Sequence, residues 1–286
     1  MATRSATAVA DRRTTPRQTP GEHQLISATV VGNEQLGEHL RRVSLAAPEF
    51  HTLQPSSPDE FFGLLMPPEG QQFQPFQPYP GNIRSIVADM AEDIRPELRW
   101  YTIRHIDRHA GIVAVDIVTH GDNGPGSRWV SRATPGDTAG VYTCSGIWSQ
   151  PASGGLYVAD ATAAPALRSI LEFLAEHDPD QLADTHVVVT TPSDDHLEPG
   201  LVDQWADRIA TLHIIRAPLD DRVAHVQQLL DTWTRRQHPA AAVNYVWACG
   251  EADVAKSARS TAVKRWGLEP SDVGWAVFWF LGHARP

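Results

Sequence analysis

Two periodicities divide this chain. From Gln24 to Thr119 apolar residues fall in short runs, several with the two-residue period of strands that bury one face. Leu25 to Val31 is β-branched and bounded by Gly32-Asn33, which predicts a strand that stops at a turn. Leu40, Arg42 and Ser44 alternate with Arg41, Val43 and Leu45 until Pro48 closes the run. Phe61 to Met66 is a buried-strand candidate ended by Pro67-Pro68. In residues 111–119, Ile112, Ala114, Asp116 and Val118 alternate with Val113, Val115 and Ile117. Residues 67–98, rich in Pro and Gln, are too long for a tight hairpin and predict a surface excursion with a short helix. Many short strands and little helix predict an antiparallel β-barrel.

After Gln150-Pro151-Ala152-Ser153-Gly154-Gly155, a linker, the period changes. Strand runs at Leu156–Asp160, His186–Thr190, Leu212–Ile215, Val243–Cys249 and Gly274–Leu281 alternate with helical stripes. One stripe is Leu167, Ile170, Leu171 and Leu174; another is Val223, Val226, Leu229, Leu230 and Trp233; a third runs from Ala252 to Trp266. This predicts a parallel-sheet α/β unit of nucleotide-binding type. The expected organisation is a tail at 1–22, a β-barrel unit at 23–150 and an α/β unit at 155–286. The α/β half lacks a Gly-x-Gly-x-x-Gly fingerprint and a Walker loop, so a tightly held dinucleotide is not expected there.

Composition narrows the function. A formal charge of −10 disfavours nucleic-acid and anionic-membrane binding, which need clustered Lys and Arg. No apolar run reaches the roughly 18 residues of a membrane span. Cys144 and Cys249 are the only cysteines, too few for a disulfide framework, and a reducing cytoplasm is the expected setting. Residues 1–22 hold few large apolar side chains and predict a disordered tail; Arg12-Arg13 lacks the apolar stretch an export signal requires. Thirteen histidines supply no pair at metal-ligand spacing on a helix, so no metal site is assigned.

Two stretches carry chemistry. Arg99-Trp100-Tyr101-Thr102-Ile103-Arg104 alternates as a strand, and combines guanidinium groups that pair with phosphate, a ring that covers a flat aromatic system, and a hydroxyl. His120-Gly121-Asp122-Asn123-Gly124-Pro125-Gly126-Ser127-Arg128-Trp129-Val130 passes from a strand through a glycine-rich turn into a helix, whose first turn favours an anion. Each is also compatible with an ordinary strand or turn; in this order they fit a flat, phosphorylated ligand such as a flavin dinucleotide.

These residues resemble the siderophore-interacting protein family, a branch of the ferredoxin–NADP reductase superfamily, over roughly residues 24–284. Arg99–Arg104 is similar to the family's Arg-x-Tyr-Thr-x-Arg flavin motif. Asp116-Ile117-Val118-Thr119-His120-Gly121 and Gly124-Pro125-Gly126-Ser127-Arg128-Trp129, continued by Pro135-Gly136-Asp137, resemble its second motif. Ala159-Asp160-Ala161-Thr162-Ala163-Ala164-Pro165-Ala166, Trp247-Ala248-Cys249-Gly250-Glu251 and Phe278-Trp279-Phe280-Leu281-Gly282 resemble the later ones. The resemblance implies a cytoplasmic flavoprotein that holds FAD in the barrel. Such a protein takes electrons from NADH, NADPH or a ferredoxin and reduces a ferric siderophore to release Fe(II).

Carried over by position, the resemblance puts Arg99 on the pyrophosphate and Tyr101 on the isoalloxazine. Thr102 falls near the reactive edge, as the catalytic candidate. Arg104 adds a phosphate contact, and Ile103 lies within the same motif. Asp116, Val118 and His120 border the ribityl and adenosine parts, while Gly124, Gly126 and Ser127 close over the pyrophosphate. Trp129, Asp160, Thr162 and Trp279 complete the expected cofactor-binding set, with Trp279 shielding the flavin face.

The sequence also departs from that family. Ala161 stands where the family has Glu, Ala159 where it has Gly, and Phe278 and Phe280 replace a Tyr and a basic residue. Gly63 holds a position where many relatives carry Lys. Three of these changes remove polar or charged groups that would face a reductant or an anionic ferric chelate. They keep two alternatives open: the same fold recruited to another substrate, as a reductase or cyclisation enzyme with weak or absent NAD(P)H use, and a non-catalytic binding protein. Cys249 either faces a nicotinamide or is a buried inert thiol.

Overall fold

A computed structural model describes residues 23–78, 82–119 and 124–282. The expected tail at 1–22 and His120, expected beside the cofactor, lie outside the described residues.

The N-terminal half folds into an antiparallel sheet. Its strands are β1 (Leu25–Gly37), β2 (Leu40–Ala46), β3 (Phe61–Met66), β4 (Glu97–Thr102), β5 (His105–Asp107), β6 (Ile112–Val118) and β7 (Thr138–Thr143), in the order β4-β3-β7-β1-β2-β6-β5. Helix α1 (Ile83–Ala88) lies in the excursion, and α2 (Pro125–Arg132) connects β6 to β7. The paired strands described run from β4 to β5 without a ladder that closes them on themselves. One backbone bond, from the Arg104 amide to the Ala114 carbonyl (2.9 Å), ties the segment after β4 to β6.

Alternation along β1 buries Ile26, Ala28 and Val30 against Leu45, Phe62, Leu64, Val115 and Val141, with Trp129 and Val130 of α2 in the same core. Each such large apolar side chain contributes roughly 1.5–3 kcal/mol on burial. The turn expected at Gly32-Asn33 is absent: β1 continues to Gly37 and shifts register between Val30 and Gly32. Asn33 donates from its side-chain amide to the carbonyls of Val130 (2.7 Å) and Ala133 (2.8 Å). A turn-forming residue pair here serves a bulge and the end of α2 instead.

The C-terminal half is a parallel sheet of β8 (Leu156–Asp160), β9 (His186–Thr191), β10 (Thr211–Arg216), β11 (Val246–Glu251) and β12 (Val273–Trp279), ordered β10-β9-β8-β11-β12. Every residue of β8, β9 and β11 is buried, as strands covered on both faces require, and this explains their unbroken apolar runs. One face packs on α3 (Ala164–His177), with α4 (Pro179–Ala183) and α5 (Leu201–Trp205) nearby in sequence. The other face packs on α6 (Arg222–Arg236) and α7 (Ala252–Lys264) through Val226, Leu230, Val254 and Ala258. Among the described residues, no helix is long and apolar enough to cross a membrane.

Two polar knots join the halves. The Asp59 carboxylate accepts from the amides of Ile147 (3.2 Å) and Trp148 (2.9 Å) and from the Trp247 indole (3.0 Å), and burial raises its pKa. The second knot sets Arg42, Arg104 and Arg168 among Asp116, Glu172 and Glu198.

Candidate functional site

A cleft of about 1290 Å³ opens between β4, the start of α2, the carboxyl ends of β8 and β12, and the α1 segment. Among the expected residues, Arg99, Tyr101, Thr102, Asp116, Val118, Gly124, Gly126, Ser127, Thr162 and Trp279 line it. Ligand pockets commonly hold roughly 300–1,000 Å³, so this volume admits a dinucleotide with a second molecule beside it.

The first wall is β4 against α2. Arg99 and Tyr101 share one side of β4, and the Arg99 side chain is 44% exposed, with its guanidinium donating to the Leu98 carbonyl at 2.7 Å. Pro125 occupies the first turn of α2, where its missing N–H costs nothing, and Gly124 caps it at φ +94°. A Cβ on Gly124 would meet nothing within 4 Å, so this left-handed cap faces open space. A Cβ on Gly126 would collide with the Tyr101 hydroxyl, so the glycine sets how closely the helix approaches the ring. Burial pushes the Tyr101 phenol up to about 12, which keeps it neutral. Thr102, 5% exposed, ends β4 at the cleft. The first turn of α2 brings N–H groups that have no intrahelical acceptor, together with the positive end of a helix dipole.

The opposite wall is organised by Asp160, fully buried at the carboxyl end of β8. One carboxylate oxygen accepts from the Thr162 amide (2.8 Å), the Thr162 hydroxyl (2.6 Å) and the Ala163 amide (3.1 Å). The other accepts from the Glu251 amide (2.8 Å) and the Trp279 indole (2.7 Å). Asp160 therefore fixes three strand ends and places Trp279 at the cleft without lining it. Gly250, at φ +126°, leaves room for that carboxylate. Glu251 caps α7 by accepting from the amides of Asp253 and Val254.

Some expected residues are placed elsewhere. Arg104, expected to add a phosphate contact, instead has a side chain only 1% exposed and bonded to Glu172 (2.7 Å, twice) and Glu198 (2.8 Å). Burial pulls its pKa down, but those two carboxylates outweigh it and hold the guanidinium above its ordinary value. The chain leaves strand geometry after Thr102, which turns Arg104 away from its β4 neighbours. Ile103 and Trp129 are core residues of the N-terminal sheet. Asp116 reaches the cleft, but Arg42 holds its carboxylate bidentately at 2.6 and 2.7 Å. Cys249 is fully buried, which pushes its thiol well up and makes it a packing residue.

Residues not anticipated at the cleft include Arg84, Leu219 and Leu281, and Trp100. Trp100 lies directly opposite Gly63 across β3 and β4, and a Cβ at Gly63 would sit 3.1 Å from its ring and 2.8 Å from Leu98. The departure at Gly63 is thus steric: the tryptophan fills the space a side chain would use. A Gly-to-aromatic cross-strand pair is legible only once the register is known.

Residues 29–147 match the siderophore-interacting FAD-binding domain family, and residues 152–282 match the siderophore-interacting protein family. An uncharacterized protein of Mycobacterium tuberculosis is 31% identical over 169 residues, 58% of each chain, so the match spans little more than half of that relative. The ferric vibriobactin reductase of Vibrio cholerae is 31% identical over 80 residues, 27% of this chain and 30% of that one. A siderophore utilization protein from T. fusca superposes with a TM-score of 0.68 at 23% identity, over 92% of this chain and 95% of that one, which shows the shared fold.

Proposed function

The chain belongs to the siderophore-interacting protein family, and from that premise we propose that it is a flavin-dependent reductase of ferric siderophores. The observation that carries the reading is the single cleft on which Arg99, Tyr101 and Thr102 of β4 meet Gly124, Gly126 and Ser127 of α2, with Trp279 on the far wall. The residues present fit FAD: a half-exposed guanidinium, a glycine cap open to the cleft and a neutral, half-buried phenol.

In this proposal residues 23–150 hold FAD and residues 155–286 receive the reductant, NADH, NADPH or a ferredoxin. Arg99 and the first turn of α2 bind the pyrophosphate, one by bidentate pairing and the other by backbone N–H groups. Tyr101 covers the isoalloxazine, and Thr102 presents a hydroxyl at its reactive edge. Asp160 holds the Trp279 indole at the cleft, where its ring would shield a bound flavin from water. Arg104 is left out of the phosphate cradle, because its charge is spent on Glu172 and Glu198. Once reduced by two electrons from that reductant, bound FAD would supply the two electrons that convert two Fe(III) to two Fe(II). The protein contributes orientation and dielectric.

The test is anaerobic. FAD-loaded protein, reduced photochemically, is mixed with a ferric chelate and a colorimetric Fe(II) trap. Flavin reoxidation with two Fe(II) per flavin is expected. Reduced flavin that persists beside every ferric chelate tried would sink the proposal. That outcome would favour the alternative of another substrate, which the apolar Phe278 and Phe280 on the cleft also motivate.

A further inference from the structure

We infer that the acceptor is a ferric chelate without strong negative charge that bears apolar or aromatic groups; this rests on the reading above. The cleft is electrically one-sided. The charged side chains Arg84, Glu92, Arg95, Glu97 and Arg99 lie on the β4 and α1 side, with Arg99 3.5 Å from Glu97, whereas the opposite wall contributes Leu219, Phe278, Phe280 and Leu281. Leu219 and Leu281, 37% and 38% exposed, are two of the six exposed large apolar side chains among the described residues, and both sit on this wall. Exposed apolar surface gathered in a cleft marks a ligand contact.

The three arginines have other work. Arg84 lies over the Trp100 ring at 5.7 Å, Arg95 donates to the Met90 carbonyl at 2.6 and 3.1 Å, and Arg99 serves the pyrophosphate in the proposed arrangement. The half-exposed Lys256 ammonium lies over the Phe280 ring at 5.6 Å, and Asp253 at 3.3 Å offsets its charge. A trianionic chelate pressed against Phe278, Phe280 and Leu281 would shed water and, among the described residues of that wall, gain no unneutralised ion partner. The chain's formal charge of −10 adds repulsion at long range. An uncharged chelate pays neither cost, and aliphatic or aromatic substituents cover the surface that Leu219 and Leu281 expose.

Calorimetric titration of the oxidised, FAD-loaded protein tests this without turnover. The probes are a neutral ferric tris-hydroxamate, the same chelate with an acyl chain, and a trianionic ferric tris-catecholate. The neutral chelate is expected to bind about tenfold or more tightly than the trianion, and the acylated form tighter still. Phe280→Arg and, separately, Leu281→Lys are expected to shift that ratio about tenfold toward the trianion. Equal or tighter binding of the trianion, or a ratio indifferent to both substitutions, overturns the inference while leaving the flavoprotein reading intact. A protein that takes up no FAD overturns that reading and this inference with it.

Discussion

Both terminal nitrogens of Arg104 lie 2.7 Å from the two carboxylate oxygens of Glu172, so the chain leaving β4 is bolted to α3 at two points. The same guanidinium reaches Glu198, which also receives Arg42, which in turn grips Asp116 beside the cleft. Removing Arg104 would leave the nearly buried Glu198 with fewer cations. Because Glu198 keeps Arg42 and Arg168, Arg104→Gln is expected to cost about 1–3 kcal/mol of unfolding free energy. Chemical denaturation checks this, and a loss below about 1 kcal/mol would show the network to be decorative.

Glu198 gives this network a pH dependence. Burial alone would raise its pKa, but Arg104 and Arg42 hold it below the ordinary carboxylate value. A group depressed in the folded state adds stability that is complete above its unfolded pKa, about 4.3. That stability is lost as pH falls through the folded value. The melting temperature of the wild type should therefore fall below about pH 5 more steeply than that of Glu198→Gln. Parallel curves would contradict the assignment.

Gly126 and Tyr101 should behave as a coupled pair. Gly126→Ala places a Cβ on the Tyr101 hydroxyl and is expected to cost about 1–3 kcal/mol by overpacking and to weaken FAD binding. Tyr101→Phe removes that oxygen, and the next ring atom is 3.2 Å away, so the double variant should recover a large part of the loss. A double-mutant cycle of stability and FAD affinity measures this. Additive effects would place the ring elsewhere.

Asp160 accepts from five donors, and an amide cannot. Asp160→Asn sets an N–H group against at least one donor and is expected to destabilise by about 2–3 kcal/mol. Release of Trp279 should appear as red-shifted, more quenchable tryptophan emission, compared with Trp279→Phe to assign the signal. Unchanged emission would sever the link between Asp160 and the cleft wall.

Local pattern carried far in this chain. The apolar runs at Leu156–Asp160 and His186–Thr190 already read as strands of a parallel sheet, and the proline and glycines at 124–126 marked the start of α2. What escaped was long-range. Arg104 sits two residues past the end of β4, and its partners Glu172 and Glu198 lie 68 and 94 residues away. Nothing in its neighbours distinguishes a buried brace from a phosphate ligand. Gly32-Asn33 has turn chemistry, but contacts with Val130 and Ala133 turn it to another use. Gly63 read as a lost charge until its cross-strand partner, Trp100, showed the space to be filled.

The account stands on FAD in the cleft between β4 and α2. The most direct measurement is titration of FAD into the purified, flavin-stripped protein, followed by absorbance and flavin fluorescence, with Arg99→Ala alongside. One FAD per chain is expected, with an affinity that Arg99→Ala lowers by about tenfold or more. Failure to bind FAD, or binding that Arg99→Ala leaves unchanged, would contradict it.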